Sequence, residues 1–359
     1  MRHARLIRPS VADWRTRHSV GDLLGASSRG LFVNVPILEL QSDGSKASRC
    51  ALNAAPCSCN SLLRQLKGPA RMTAYSLVSQ NLRAANPGGG VLEITTTAGC
   101  IVRCSYCLQD KFADRQRPIS QAKHLGLQDF KQCLARVPTA IDISFAGYSE
   151  PWLHPACTKM VEHAYALGHG VRIFTTLVGM NGSDIRRLRM LKFRAFVVHV
   201  LDDGTYMNSR LVGKTYLNVM RRLVEANIPS IRFVVVGNVH PDLVGIIPAG
   251  TLARLQPLGR RRGSIDRQPL VGTLTCIGKR QYRNVLLPNG DVTLCCMDFE
   301  RRHVLGNLLR EEYEDLFEGP SFREIVNRMN GRDGFLLCRM CEFARPQASG
   351  CTMGAYQAS

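Results

Sequence analysis

Fourteen cysteines in 359 residues are the most reactive feature of this chain, and two groups of them have spacings that suit metal chemistry. The first is Cys100-Ile101-Val102-Arg103-Cys104-Ser105-Tyr106-Cys107. Three thiolates within eight residues can wrap a compact inorganic cluster. A cubane [4Fe–4S] has four irons, so three cysteines leave one iron without a protein ligand. By the logic that separates open from closed zinc sites, an open position marks a catalytic centre. Zinc held by three cysteines and a distant His is the alternative. The spacing of three and then two intervening residues, with Tyr106 inside it, is more specific to iron–sulfur than a lone CxxC.

The second group is Cys276, Cys295, Cys338 and Cys341. Residues 284–295 read as a β-hairpin turning at Asn289-Gly290. That turn carries Cys295 back towards Cys276, and Cys338-Arg339-Met340-Cys341 can complete a four-thiolate cage. Neighbouring strand residues point to opposite faces, so Cys295 and Cys296 cannot both face one cluster from a regular strand. Spacing selects Cys295. Four protein ligands would close this second centre; zinc is again the alternative.

The elements that must position these cysteines follow from periodicity. Apolar, strand-like runs cover residues 91–96, 140–145, 171–176, 195–201 and 230–236. Helix-like segments lie between them at 155–167, 184–193 with Ser183 as N-cap, and 211–226. Strands alternating with helices imply βα units and a parallel sheet. A closed eight-unit barrel needs about 250 residues, more than this region supplies. The expected fold is therefore α/β: a partial, open (β/α)6 TIM-like barrel, followed by a small C-terminal α+β segment. Cys100 falls on the loop after the first strand, at the face where βα loops converge. Ser321 to Glu324 reads as a capping box opening a helix in the C-terminal part.

CxxxCxxC after the first strand of a partial βα barrel resembles the radical S-adenosylmethionine (radical SAM) superfamily. The resemblance implies that Cys100, Cys104 and Cys107 hold a [4Fe–4S] cluster whose open iron is chelated by SAM. An electron from the cluster then cleaves the sulfonium, and a 5′-deoxyadenosyl radical takes a hydrogen atom from the substrate. Tyr106 occupies the aromatic position that packs near the adenine. Gly147-Tyr148-Ser149-Glu150-Pro151 resembles the family's GGEP motif, with Tyr148-Ser149 departing from the glycines; by that likeness Gly147, Ser149 and Glu150 meet SAM. Thr175 and Thr176 end the third strand and Gly237 follows the fifth, where the family meets the ribose, the carboxylate and the adenine. Cys276-x13-Gly290-x4-Cys295 followed by Cys338-x2-Cys341 resembles the SPASM/Twitch domains, which implies one auxiliary [4Fe–4S] cluster.

Related enzymes use an auxiliary cluster in two-electron oxidations, which also need a base; Asp298 is the candidate. The expected substrate is a small polar molecule, sugar- or cyclitol-like. A peptide or protein, an RNA, or no reaction at all in a zinc-binding module are the alternatives. The expected electron donor is external, flavodoxin- or ferredoxin-like. The domain organisation read from the sequence is a basic extension over 1–71, a barrel over 85–260 and an auxiliary-cluster domain over 261–359. The extension holds eleven Lys or Arg against four Asp or Glu, and Cys50, Cys57 and Cys59. The whole chain carries a net charge of +19. That charge is diffuse, so nucleic acid is not expected as a partner. No run of 18 apolar residues occurs, and the expected compartment is the cytoplasm, where clustered cysteines bind metal or do redox chemistry.

Overall fold

The computed structural model describes residues 90–255, 268–276 and 283–346, all within one compact unit, Asn81–Ser359. The expectations for residues 1–71, including Cys50, Cys57 and Cys59, lie outside the described residues.

Six strands pair in parallel and in chain order: β1 Val91–Ile94, β2 Asp142–Phe145, β3 Val171–Thr175, β4 Ala195–His199, β5 Ile231–Val236 and β6 Leu252–Leu255. Strands such as Val91–Ile94 and Asp142–Phe145 are buried along their whole length, as a sheet covered on both faces requires. The crossovers contain α1 Gln109–Gln116, α2 Leu127–Leu134, α3 Cys157–Ala166, α4 Gly182–Leu188 and α5 Lys214–Glu225. A short 3-10 turn, Pro241–Leu243, stands in the β5–β6 connection in place of a helix. The α/β class and the open, partial arrangement expected from the sequence are both observed.

The C-terminal part adds β7 Leu274–Cys276, the hairpin β8 Arg283–Leu286 and β9 Asp291–Thr293, then β10 Val304–Asn307, α6 Pro320–Met329 and β11 Ala344–Pro346. β8 runs parallel to β1 in the register Val91↔Arg283 to Ile94↔Leu286. The hairpin thus extends the barrel sheet to nine strands in the order β10-β9-β8-β1-β2-β3-β4-β5-β6, while β7 and β11 form a separate antiparallel pair.

Four local readings needed correction or were missed. The N-cap of α4 is Asn181, not Ser183: its side chain accepts from Ser183 N and Asp184 N, and the Asp184 side chain reaches back to complete a capping box. α6 begins at Pro320 with Gly319 as N-cap, so Ser321 and Glu324 form no box; Glu324 binds Arg328 and Arg332 instead. Helix α1 was not foreseen because Phe112 is its one large apolar side chain, too few to show a period. α2 was missed although Leu127, Phe130 and Leu134 recur at helical spacing.

One core joins the sheet to its helices. Ile94, Ile143, Phe145, Ile173, Phe196 and Val198 meet Phe130, Met160, Val161, Leu188, Met220 and Leu223. Phe130 is fully buried and its ring lies 6.1 Å from that of Phe145. Phe130→Ala is expected to cost about 3–5 kcal/mol of stability, read as a shifted denaturation midpoint at unchanged slope.

Candidate functional site

The loop after β1 holds the first three cysteines. It is fixed by backbone contacts to a second loop: Ser105 N donates to Tyr206 O at 2.8 Å and Asn208 N to Val102 O at 3.0 Å. Cys107 N donates to Cys104 O at 2.9 Å, and Arg103, just before Cys104, takes a positive φ of 50°. With its amide turned oxygen-inward, Gln109 of α1 accepts from Gly99 N at 3.0 Å and Cys100 N at 3.2 Å. The Tyr106 side chain hydrogen-bonds Cys104. Burial is the largest influence on the thiols: it raises Cys100 and pushes Cys104 up to about 12, with neighbouring Cys107 adding to both. Such thiols become ligands only when a metal displaces the proton.

The Gly147–Glu150 loop stands beside them, and the Cys100 thiol hydrogen-bonds the Glu150 backbone. Gly147 has φ 55°, and a Cβ there would lie 2.5 Å from Thr95 Oγ1 and 2.7 Å from the Ile94 carbonyl. Only glycine permits that approach of β1 to the loop. Glu150, 4% exposed, accepts from Thr175 Oγ1 at 2.5 Å, from Thr176 N at 2.6 Å and from Thr176 Oγ1 at 2.8 Å. Burial nonetheless raises its carboxyl above the ordinary range. The structure therefore brings Glu150, Thr175 and Thr176 together, but chiefly with one another. Their hydroxyls and carboxylate hold a shape rather than project as ligand groups. Ser149 Oγ is buried with no hydrogen-bond partner, an open polar position within this loop.

Gly237 follows β5 with φ 85°, and a Cβ there would stand 2.9 Å from the Tyr206 ring. Tyr206 in turn lies 6.3 Å from the ring of Tyr106. Its loop is organised by Asp202, fully buried, which accepts from Gly204 N, Tyr206 N and Met207 N at 2.7–3.1 Å. Sequence reasoning missed both residues. Asp202-Asp203-Gly204 carries a turn signal, but nothing in it tells that the turn braces a cysteine loop more than ninety positions away.

Cys276, Cys295, Cys338 and Cys341 line a single cavity, with Leu294, Met297, Met329 and Phe343 among its other walls. Cys276 ends β7; Cys338 lies on the 3-10 turn Leu337–Met340 and Cys341 caps it. His303 Nε2 accepts from Leu337 N at 3.0 Å, so the imidazole is neutral; burial lowers its pKa to about 4. Cys296 faces elsewhere, among Leu108, Phe112, Tyr148 and Phe299. Burial pushes the Cys338 thiol up to about 12 and raises Cys295 far above its usual value. Among the described residues no three His, Cys, Asp or Glu converge closely enough for one metal ion. Four thiols around one cavity are a donor set that an iron–sulfur cluster uses.

Asp298, the candidate base, is placed in the turn into β10. It is fully buried, and its oxygens accept from Arg302 N and His303 N, both at 2.8 Å. Burial raises its carboxyl to about 6, and the group shapes the turn into β10. Of the basic run 186–189, Arg187 is paired with Glu162.

Residues 276–342 match the family model of SPASM, an iron–sulfur cluster-binding domain. The match bears out the C-terminal part of the resemblance drawn from the sequence, a SPASM-type domain, and its iron–sulfur cluster. No curated protein matches the chain. Similar solved structures include BtrN in complex with AdoMet and 2-DOIA, at 18% identity and TM-score 0.45, covering 67% of this chain and 87% of that one. Another is anSMEcpe with bound AdoMet and the Cp18Cys peptide, at 12% identity and TM-score 0.46, covering 70% and 86%. Streptococcus suis SuiB bound to precursor peptide SuiA gives 11% identity and TM-score 0.47, covering 78% and 76%. Among the described residues no helix is long and apolar enough to cross a membrane.

The Glu150 contacts lead to a direct test. Glu150→Gln leaves a buried donor opposite donors and is expected to cost about 1–3 kcal/mol. Because the folded carboxyl is raised, folding takes up a proton. Wild-type stability should therefore grow as pH falls towards the unfolded carboxyl range, and the Gln variant should lack that component of the slope. Thermal melts across pH check both.

Proposed function

We propose that this chain is a radical SAM oxidoreductase. Cys100, Cys104 and Cys107 would hold the SAM-binding [4Fe–4S] cluster, and Cys276, Cys295, Cys338 and Cys341 an auxiliary [4Fe–4S] cluster. The observation that carries the reading is the pair of thiol sites. Three cysteines sit on the β1 loop against the Gly147–Glu150 backbone, and four more share one cavity inside the SPASM-matching segment. When bound, the clusters and SAM supply one-electron reduction, hydrogen-atom abstraction and a sink for the second electron of an oxidation.

The chain's own residues do the positioning. The Glu150–Thr175–Thr176 contacts fix the backbone of residues 147–150 for the SAM amino group. Ser149 Oγ has a hydrogen bond to offer there. Tyr106, Tyr206 and Gly237 form a wall suited to the adenine. Asp202 keeps that wall in place against the cysteine loop. The substrate we put forward is a small polar, alcohol-bearing molecule of the sugar or cyclitol type, with a flavodoxin- or ferredoxin-like donor in a reducing cytoplasm.

Anaerobically reconstituted wild-type protein is expected to bind close to eight irons and to turn SAM into 5′-deoxyadenosine under a low-potential reductant. Cys104→Ala should lose about half the iron and all deoxyadenosine formation; survival of SAM cleavage in that variant overturns the first ligand set. Cys338→Ala should keep SAM cleavage while losing oxidised product and the auxiliary electron paramagnetic resonance signal. An unchanged signal removes Cys338 from the second set.

A further inference from the structure

Tyr148 stands where the family motif resembled by this loop has glycine, and its side chain is committed to the C-terminal segment. Its backbone N–H donates to Thr95 Oγ1 at 3.1 Å, which fixes the motif loop to the end of β1. The ring leaves the loop and is 2% exposed. It packs between Phe112 of α1, at 5.0 Å, and Phe299 beyond the hairpin, at 4.5 Å. Its hydroxyl donates to the backbone carbonyl of Cys295 at 2.9 Å and lies 3.2 Å from Thr293 Oγ1. One residue therefore touches the loop offered to SAM, the helix that starts just after Cys107, and the carbonyl of an auxiliary-site cysteine.

We propose that Tyr148 is a positioning residue that registers Cys295, and with it the auxiliary-cluster site, against the SAM-binding loop. The proposal rests on the reading of residues 147–150 as that loop. A rigid aromatic side chain has two torsions, and a buried phenol without its partner is costly, so the backbone at 148 and the carbonyl at 295 cannot move independently. A ligand that settles the backbone of 147–150 must then also settle the hairpin end, and the effect is reciprocal. The ring belongs to an apolar cluster with Phe112, Cys296 and Phe299, against which Cys107 of the first thiol group packs.

The experiment uses the full chain, reconstituted anaerobically, with SAM itself as the probe and Tyr148→Phe as the variant. Phenylalanine keeps the ring packing and deletes only the hydroxyl, so folding should survive. Hydrogen exchange is followed by mass spectrometry with and without SAM. In the wild type, SAM should slow exchange in peptides covering 147–150 and also in those covering 291–297. In Tyr148→Phe the first protection should remain and the second should fall roughly two- to tenfold, the range expected when one hydrogen bond is lost. The auxiliary electron paramagnetic resonance signal should shift on SAM addition in the wild type and not in the variant. Equal protection of 291–297 and equal spectral shifts in both proteins overturn the coupling while leaving the SAM site intact. Absence of protection at 147–150 in the wild type overturns the SAM-loop reading, and the coupling with it.

Discussion

A carboxylate removed from water is tolerated only where donors meet its oxygens, and Glu150 satisfies that demand with groups from β3 and from its own turn. Thr175 Oγ1 and Trp152 N serve one oxygen; Thr176 N and Oγ1 serve the other. Two threonine contacts complete the attachment on the other side: Thr95 Oγ1 accepts from Tyr148 N, and Thr96 Oγ1 donates to Pro151 O. The loop after β2 is thus tied to both neighbouring strands through side chains, and its backbone is what remains to meet a ligand. On the proposed function, the polar residues at these strand ends would act on SAM through the backbone they hold.

Parallel pairing of β8 with β1 gives the same strand a second neighbour. Thr95 N donates to Leu286 O at 2.9 Å, so the sheet continues past the last paired residues and into the region of the cysteine loop. The C-terminal hairpin is therefore part of the barrel's own sheet and not an appendage beside it. The segment that matches an iron–sulfur domain inherits its position from β1, the strand that also launches the first three cysteines. Asn284 reinforces the hairpin: its amide donates to Leu294 O at 2.8 Å and its oxygen accepts from Tyr313.

Much of this architecture was legible because it rests on short-range pattern. The five strands read from apolar runs all occur, with ends trimmed by one or two residues, and the hairpin turns where Asn289-Gly290 predicts. The four cysteines of the second group come to one cavity, and Cys295 and not Cys296 is among them, although both lie in the turn past β9 and not on a strand. The side chains that brace the site were not legible, because their partners are distant in sequence. Tyr148 finds Cys295 147 positions away, and Glu150 finds Thr176 26 positions away. Composition can suggest that a carboxylate is polar loop or ligand. Only the fold shows that threonines have already claimed it.

Asp298 shows how a side chain near the second cysteine group is bound into the backbone around it. It lies three positions past a cysteine of the cavity, yet its backbone N–H donates to Cys295 O and its carboxylate closes onto Arg302 N and His303 N. His303, placed by that turn, then receives the amide of Leu337 at the start of the turn that bears Cys338. The acid thus acts on the cavity through geometry: it orients a neutral imidazole, which orients a cysteine turn. A proton acceptor for the substrate needs a face that the substrate can reach, and the residues that shape the second thiol site are buried because they shape it.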